Sequence, residues 1–278
     1  MRRSSRNSFL CIEQVRRLPA YSGCDAPAGE GLIVKLSKLV RTCGSLKCSV
    51  IQSDTLDDAQ SGLVILNHGF GASGDDLVDI GAMLMDESEV IAAKFRFVFP
   101  EAPIDLGPMG MRGGRAWWPI NMAQLAEINQ TQDYSELTRI SPPGMSEATS
   151  LLAAAVQEMR SIYRVEEDRI VLGGFSQGAM ISTHLTLATG FQPALLTLFS
   201  GTLLCCDEWT RLAIAHPHCR ILQSHGYEDS ILPFGAATEL SQMLTDAGFE
   251  MDFLAFHGGH TIPMNVLQKL SERLELIA

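Results

Sequence analysis

Arg169-Ile170-Val171-Leu172-Gly173-Gly174-Phe175-Ser176-Gln177-Gly178 is the stretch on which the fold turns. Its first half, Arg169–Gly173, is a short apolar run with the pattern of a strand covered on both faces. Gln177 opens an amphipathic stretch that runs to Thr189 and stops at Gly190, the pattern of a helix. A serine between a buried strand and a helix, with Gly174 and Gly178 on either side, has the layout of a nucleophile elbow. A G-x-S-x-G match arises by composition in about one chain in ten of this length, so its surroundings carry the reading. A sharp turn there holds the Ser176 hydroxyl clear of the sheet. The free N–H groups at the helix start face negative charge developing beside it.

Outward from this point, short apolar runs alternate with helical stretches from about residue 45. Strands are expected over Lys47–Gln52, Leu63–Asn67, Arg96–Phe99, Ala194–Phe199, Arg220–Gln223 and Met251–Phe256. Helices are expected over Asp75–Met85, Ser146–Tyr163, Ala236–Ala247 and Pro263–Ile277. Such alternation predicts an α/β fold with a mostly parallel central sheet and helices on both faces. The catalytic domain is expected to occupy residues 46–278, behind a partly disordered extension at 1–45. One segment breaks the regularity. Ala102–Asp133 holds Gly107, Gly110, Gly113, Gly114 and the pair Trp117-Trp118, and a long connection inside a compact domain is usually functional.

Charge separates the two parts. Residues 1–45 carry eight Lys/Arg against three Asp/Glu, and the remainder carries 13 against 29. A body that acidic repels phosphate backbones, which argues against nucleic acid as a partner. No run of 18 apolar residues occurs, so no integral membrane association is expected. The seven cysteines form no CxxC pair, and adjacent Cys205 and Cys206 suit neither a zinc site nor a disulfide framework. Reduced thiols in a cytoplasmic protein are the expectation, although the Arg- and Ser-containing start has the flavour of an organellar transit peptide. Leu32, Ile33, Val34, Leu36, Leu39 and Val40 supply enough apolar surface for part of 31–45 to add or cover an edge strand.

A serine hydroxyl needs a base, and in elbow-bearing folds the order is nucleophile, acid, histidine. His260, in Gly258-Gly259-His260-Thr261 between the last strand and last helix, is the preferred base over His257. His225 reads as a structural hydrogen-bonding residue at a strand end. The acid stays open among Asp229, Glu228 and the pair Asp207-Glu208, each following a strand. An oxyanion needs two N–H donors: one from Gln177, the other from Asn67-His68-Gly69-Phe70-Gly71 after an early strand. That glycine-rich loop lacks the lysine of a phosphate cradle. Trp117, Trp118, Met109 and Met111 are expected to line the substrate pocket. No metal or cofactor is called for.

Taken together these residues resemble the phospholipase/carboxylesterase family of α/β-hydrolases, which includes acyl-protein thioesterases and small bacterial carboxylesterases. The landmarks are Leu66–Ala72, Phe99-Pro100-Glu101-Ala102-Pro103, Leu172–Ala179, His225-Gly226 through Pro233, and Gly259-His260-Thr261. The resemblance implies Ser176, Asp229 and His260 as the triad, and the backbone N–H groups of Phe70 and Gln177 as the oxyanion hole. It implies hydrolysis of a small-molecule ester or thioester through an acyl-enzyme. Small to medium acyl esters are expected, with long-chain thioesterase or lysophospholipase action as the alternative. A non-catalytic homologue binding a ligand or partner through the same cleft is the rival from another class. The sequence departs from the family pattern at Tyr227, where the usual residue is Asp, at Phe70, commonly Leu, and at Trp117-Trp118-Pro119.

Overall fold

The computed structural model describes residues 34–278 except 132 and 217–218. Residues 1–30, expected to be an appendage, and Leu32 and Ile33 lie outside the described residues. The described residues begin with β1 (Leu36–Cys43), β2 (Leu46–Ser53) and β3 (Gly62–Asn67), followed by α1 (Val78–Glu87) and α2 (Glu89–Lys94). Next come β4 (Phe95–Pro100), the two-residue strands β5 (Ile104–Asp105) and β6 (Arg115–Ala116), α3 (Met122–Thr131), α4 (Ser135–Arg139) and α5 (Met145–Tyr163). The second half runs β7 (Ile170–Phe175), α6 (Gln177–Thr189), β8 (Leu195–Phe199), α7 (Cys206–Ala215), β9 (Arg220–Gly226), α8 (Phe234–Asp246), β10 (Glu250–Phe256) and α9 (Met264–Ile277).

Eight strands form one sheet in the order β1-β2-β4-β3-β7-β8-β9-β10. The six from β4 to β10 run parallel, and β1 and β2 close one edge antiparallel. Strands β3, β4 and β8 are buried along their whole length, as continuous apolar runs require when helices cover both faces. One apolar cluster joins α1, α2 and α9 to a sheet face, and a second joins α5, α6, α7 and α8 to the other. Helix α6 is buried on nearly every side, since it lies under α5 and α7; the amphipathic character expected from Gln177 onward is therefore not found.

The chain leaves β3 toward β4 on one side and later returns to β7 on the other. Open α/β sheets bind ligands beyond the carboxyl ends of the strands at such a reversal. Here those ends are Asn67 and Phe175, paired through the register Asn67↔Gly174.

Several expectations need adjusting. The helix expected from Asp75 starts at Val78, because the Asp75 carboxylate is engaged by Ser49 and Lys38 on the neighbouring strands. The sheet begins at Leu36, inside the stretch set apart as 1–45, and β1 pairs with β2 over eight residue pairs from Leu36↔Ser53 to Cys43↔Leu46. The connection 102–133 is not irregular throughout: it contains the β5–β6 ribbon and helix α3. Asp207 and Glu208 sit in the first turn of α7, where acidic groups complement the helix dipole.

A chain starting at residue 46 should lose this edge strand while keeping every residue of the β3 and β7 ends. Its melting temperature should fall by about 5 °C or more relative to a chain starting at residue 31, because an edge ladder and its packing are worth a few kcal/mol. Equal melting curves for the two truncations would show that β1 contributes nothing to the fold.

Candidate active site

Ser176 occupies the turn between β7 and α6 with φ 56° and ψ −119°, a left-handed backbone that a serine adopts only under constraint. The constraint is close packing. A Cβ on Gly174 would stand 2.1 Å from the Asn67 carbonyl oxygen, and one on Gly178 would stand 1.8 Å from it. Only glycine at both places lets the end of β3 press against the elbow. The Ser176 amide donates to Phe199 O at 2.8 Å, which fixes the turn from the β8 side.

The loop after β3 thereby lies over the serine. A Cβ on Gly69 would come within 3.2 Å of Ser176 Cβ. Beneath it His68 is buried, its Nε2 accepting from the Ala102 amide at 3.1 Å and its Nδ1 lying 2.8 Å from Gly69 O. Burial pushes the His68 imidazole below its ordinary acidity range, so the neutral ring suits the acceptor role of Nε2. Gly71 N donates to Arg115 O, and Arg115 N donates to Ala72 O, both at 2.9 Å. These bonds leave the amides of Phe70 and Gln177 without a partner among the described residues. Two unpaired N–H groups beside a serine form an anion-binding pair.

Behind the serine, His260 packs on Phe175 with ring centroids 4.7 Å apart. Its Nδ1 lies 2.7 Å from Asp229 Oδ2. Asp229 is wholly buried through its side chain, whereas His260 keeps 16% of its side chain exposed. Burial of Asp229 would raise its pKa, but hydrogen bonds from His225 and His260, with the Leu232 amide, outweigh it and hold the carboxyl well below the usual range. Asp229 therefore stays ionised at neutral pH. Its contribution to stability is present above the unfolded carboxylate value of about 3.9 and is lost only as pH falls through the depressed native value. No Ser176–His260 hydrogen bond forms among the described residues, and such contacts tighten when a substrate closes the site.

Glu228 belongs elsewhere. Its carboxylate faces His257 at 3.1 Å and the Gly258 amide, on an exposed surface. So Ser176, Asp229, His260, Phe70 and Gln177 come together at the strand ends, and Glu228, His257, Asp207 and Glu208 do not join them.

A cavity of about 400 Å³ starts one helical turn from Ser176, at Met180. Trp118, Ile128, Leu137, Leu204 and Leu232 line it with Met180, a mostly apolar wall in which Asn121 and Gln124 are the polar members. Of the four residues expected there, Trp118 lines the cavity. Trp117 is buried and donates from Nε1 to His68 O at 3.0 Å, bracing the loop over the serine. Met109 and Met111 are exposed on the β5–β6 connection and do not line this cavity, although the Met111 sulfur lies 3.7 Å from where a Cβ on Gly71 would stand, beside the loop after β3. Sequence reasoning missed the Gln177 side chain. Its Oε1 accepts from the Trp117 amide and its Nε2 donates to Trp118 O, both at 2.9 Å. Nothing in local sequence signals this bond, which spans 60 positions.

The chain is similar to known proteins in sequence and in fold. A family model described as phospholipase/carboxylesterase matches residues 46–278. Acyl-protein thioesterase 1 of Candida albicans is 24% identical over 221 residues, covering 77% of this chain and 90% of that protein. Its namesake in Yarrowia lipolytica is 33% identical over 138 residues, covering 48% of this chain and 51% of that protein. The crystal structure of esterase PE8 superposes with a TM-score of 0.63 at 26% identity, covering 79% of this chain and 93% of that one. A carboxylesterase from Mesorhizobium loti, 17% identical with a TM-score of 0.62 over 85% of this chain and 98% of that one, shares the fold.

Gly178→Ala should be poorly tolerated, since the new methyl would overlap the Asn67 carbonyl. Overpacking of this kind costs about 3 kcal/mol or more when backbone must move. Denaturant unfolding monitors it, and an unchanged midpoint would contradict the contact.

Proposed function

The chain belongs to the phospholipase/carboxylesterase family, and from that premise we propose that it hydrolyses carboxylic esters of small to medium acyl groups through an acyl-enzyme on Ser176. The observation that carries this reading is the 2.7 Å contact of Asp229 Oδ2 with His260 Nδ1 beside the strained Ser176 turn. An imidazole held by a carboxylate at Nδ1 presents its bare Nε2 as a base.

Ser176 attacks the acyl carbon while His260 takes its proton. Negative charge gathers on the carbonyl oxygen, where the amides of Phe70 and Gln177 donate to it without reorganising. The imidazolium, stabilised by ionised Asp229, returns its proton to the departing alcohol. Water, deprotonated by His260, then attacks the acyl-enzyme; the acyl–serine bond breaks as the imidazolium returns that proton to Ser176 Oγ, and the carboxylic acid leaves. No step calls for a metal or cofactor.

The apolar cavity supports an acyl group as its occupant, and 400 Å³ stands near the small end of ligand sites. The names of the curated relatives favour a second reading, long-chain thioesters, because thiolate departs through the same chemistry. A p-nitrophenyl ester series separates the two. The first reading expects kcat/KM to peak at short to medium chains, and a maximum at palmitate would favour the second. A binding protein without activity is excluded by a fluorophosphonate probe that labels the wild-type chain.

Ser176→Ala should take no label and lose at least about 1,000-fold in kcat, with the fold intact. Several per cent of residual activity in a clean preparation would sink the assignment. Asp229→Asn should cost about 10,000-fold, whereas Glu228→Gln, at an exposed ion pair, should stay within about twofold. The reverse ranking would move the acid by one residue.

A further inference from the structure

We propose that His225 is a positioning residue for this reaction: as the Nε2–H tautomer it holds the Asp229 carboxylate in line with His260. The inference rests on the acyl-transfer reading above and adds a member to its machinery.

His225 lies at the end of β9, four residues before Asp229, and both side chains are wholly buried. Its Nε2 lies 3.2 Å from Asp229 Oδ2, the same oxygen that meets His260 Nδ1 at 2.7 Å. The same Nε2 lies 3.0 Å from Leu232 O. Both atoms within reach are acceptors, so Nε2 must carry the hydrogen. Nδ1 has no partner among the described residues. A proton there would be a buried donor with nothing to donate to, at a cost greater than leaving a bare lone pair. The hydrogen-bonding pattern therefore specifies a neutral ring, hydrogen on Nε2.

That tautomer matters for Asp229. A charged His225 would pair with the carboxylate and divide its charge between two cations when His260 is protonated. A neutral donor steadies the oxygen and leaves the whole negative charge for the His260 imidazolium. Asp229 Oδ1 is held separately by the Ile231 and Leu232 amides at 2.8 and 2.9 Å. Oδ2 would otherwise have His260 alone to hold it. The ring is held in turn by the edge of Phe234, with centroids 6.1 Å apart at 63°. The other ionisable pair of these loops, Glu228 with His257, is exposed, whereas His225 and Asp229 are wholly buried.

Kinetics with p-nitrophenyl butyrate test the role. His225→Leu fills the space without a donor, and kcat should fall by about 10- to 100-fold, the worth of one hydrogen bond to a charged group. KM should change little. With one donor fewer, the carboxylate attracts the His260 proton more strongly, so the acid limb of the pH–kcat/KM profile should move to higher pH. His225→Gln, which returns an N–H near the lost Nε2, should restore most of the rate and the limb. In an Asp229→Asn background, His225→Leu should have almost no further effect. A folded His225→Leu protein with wild-type kcat and profile would overturn the proposal. Should that variant fail to fold, ¹⁵N NMR of histidine-labelled wild-type protein decides. Hydrogen on Nε2 alone supports the role, and hydrogen on Nδ1 or on both nitrogens overturns it. An unlabelled, inactive wild-type protein would instead bring down the acyl-transfer reading itself.

Discussion

The Asn67 carbonyl wedged between Gly174 and Gly178 is the contact on which the rest of the site depends. It joins the end of β3 to the start of α6 more closely than any side chain would allow. Two consequences follow from that one approach. The strand-to-helix turn has no room to relax, which holds Ser176 at positive φ with its hydroxyl clear of the sheet. The loop after β3 must also continue across the serine, with Gly69 packed against it. Asn67 adds to the joint with its own side chain, donating from Nδ2 to Gly173 O at 3.1 Å and to Ser182 Oγ at 2.9 Å. The strain stored at the serine is thus offset by bonds and packing distributed over β3, β7 and α6.

A second close approach brings the remaining groups together. A Cβ on Gly226 would stand 2.2 Å from Gly258 O, so β9 and the loop carrying His260 are pressed against each other. Burying a carboxylate there is unfavourable by itself, and four donors offset it: two backbone amides and two imidazoles. The amides come from the two residues beginning the turn that leads into α8, so the chain segment delivering Asp229 also delivers its solvation. The site is organised before any substrate arrives, and electrostatic preorganisation is where such enzymes gain most of their rate.

How much of this the sequence discloses depends on the range of the interaction. The strand expected over Leu63–Asn67 matches β3 to within one residue because an apolar run is a local signal, and the helix expected over Gln177–Thr189 matches α6 in extent because its stop at Gly190 is another. Ser176 and His260 are legible for the same reason: an elbow and a glycine-flanked loop are written in consecutive residues. Choosing Asp229 over Glu228 by residues alone is beyond local pattern, since the two are adjacent and what separates them, burial and the histidines each one meets, is set by tertiary packing. Helices α2 and α4 are too short for periodicity to register, and α7 begins at the Cys205-Cys206 pair, which has no helix-start signature. Met109 and Met111, expected at the substrate pocket by composition, do not line the apolar cavity. Their exposure is a matter of where the β5–β6 ribbon turns, which no pattern in the stretch specifies.

The Gln177 side chain shows why the least legible region is the one that shapes substrate choice. Its backbone amide is the donor we assign to the reacting oxygen, while its side chain grips Trp117 and Trp118 with both amide atoms. Trp117 in turn donates to His68 O, at the base of the loop that carries Phe70. A single residue therefore connects the serine's own helix, the loop opposite it and the tryptophan wall of the cavity. Displacement of that wall by a bulky acyl group would act on Gln177 directly, and through it on the donor facing the oxyanion. Binding in the cavity and stabilisation of charge at the carbonyl are then mechanically linked, which is the condition for remote binding energy to appear in kcat as well as in KM.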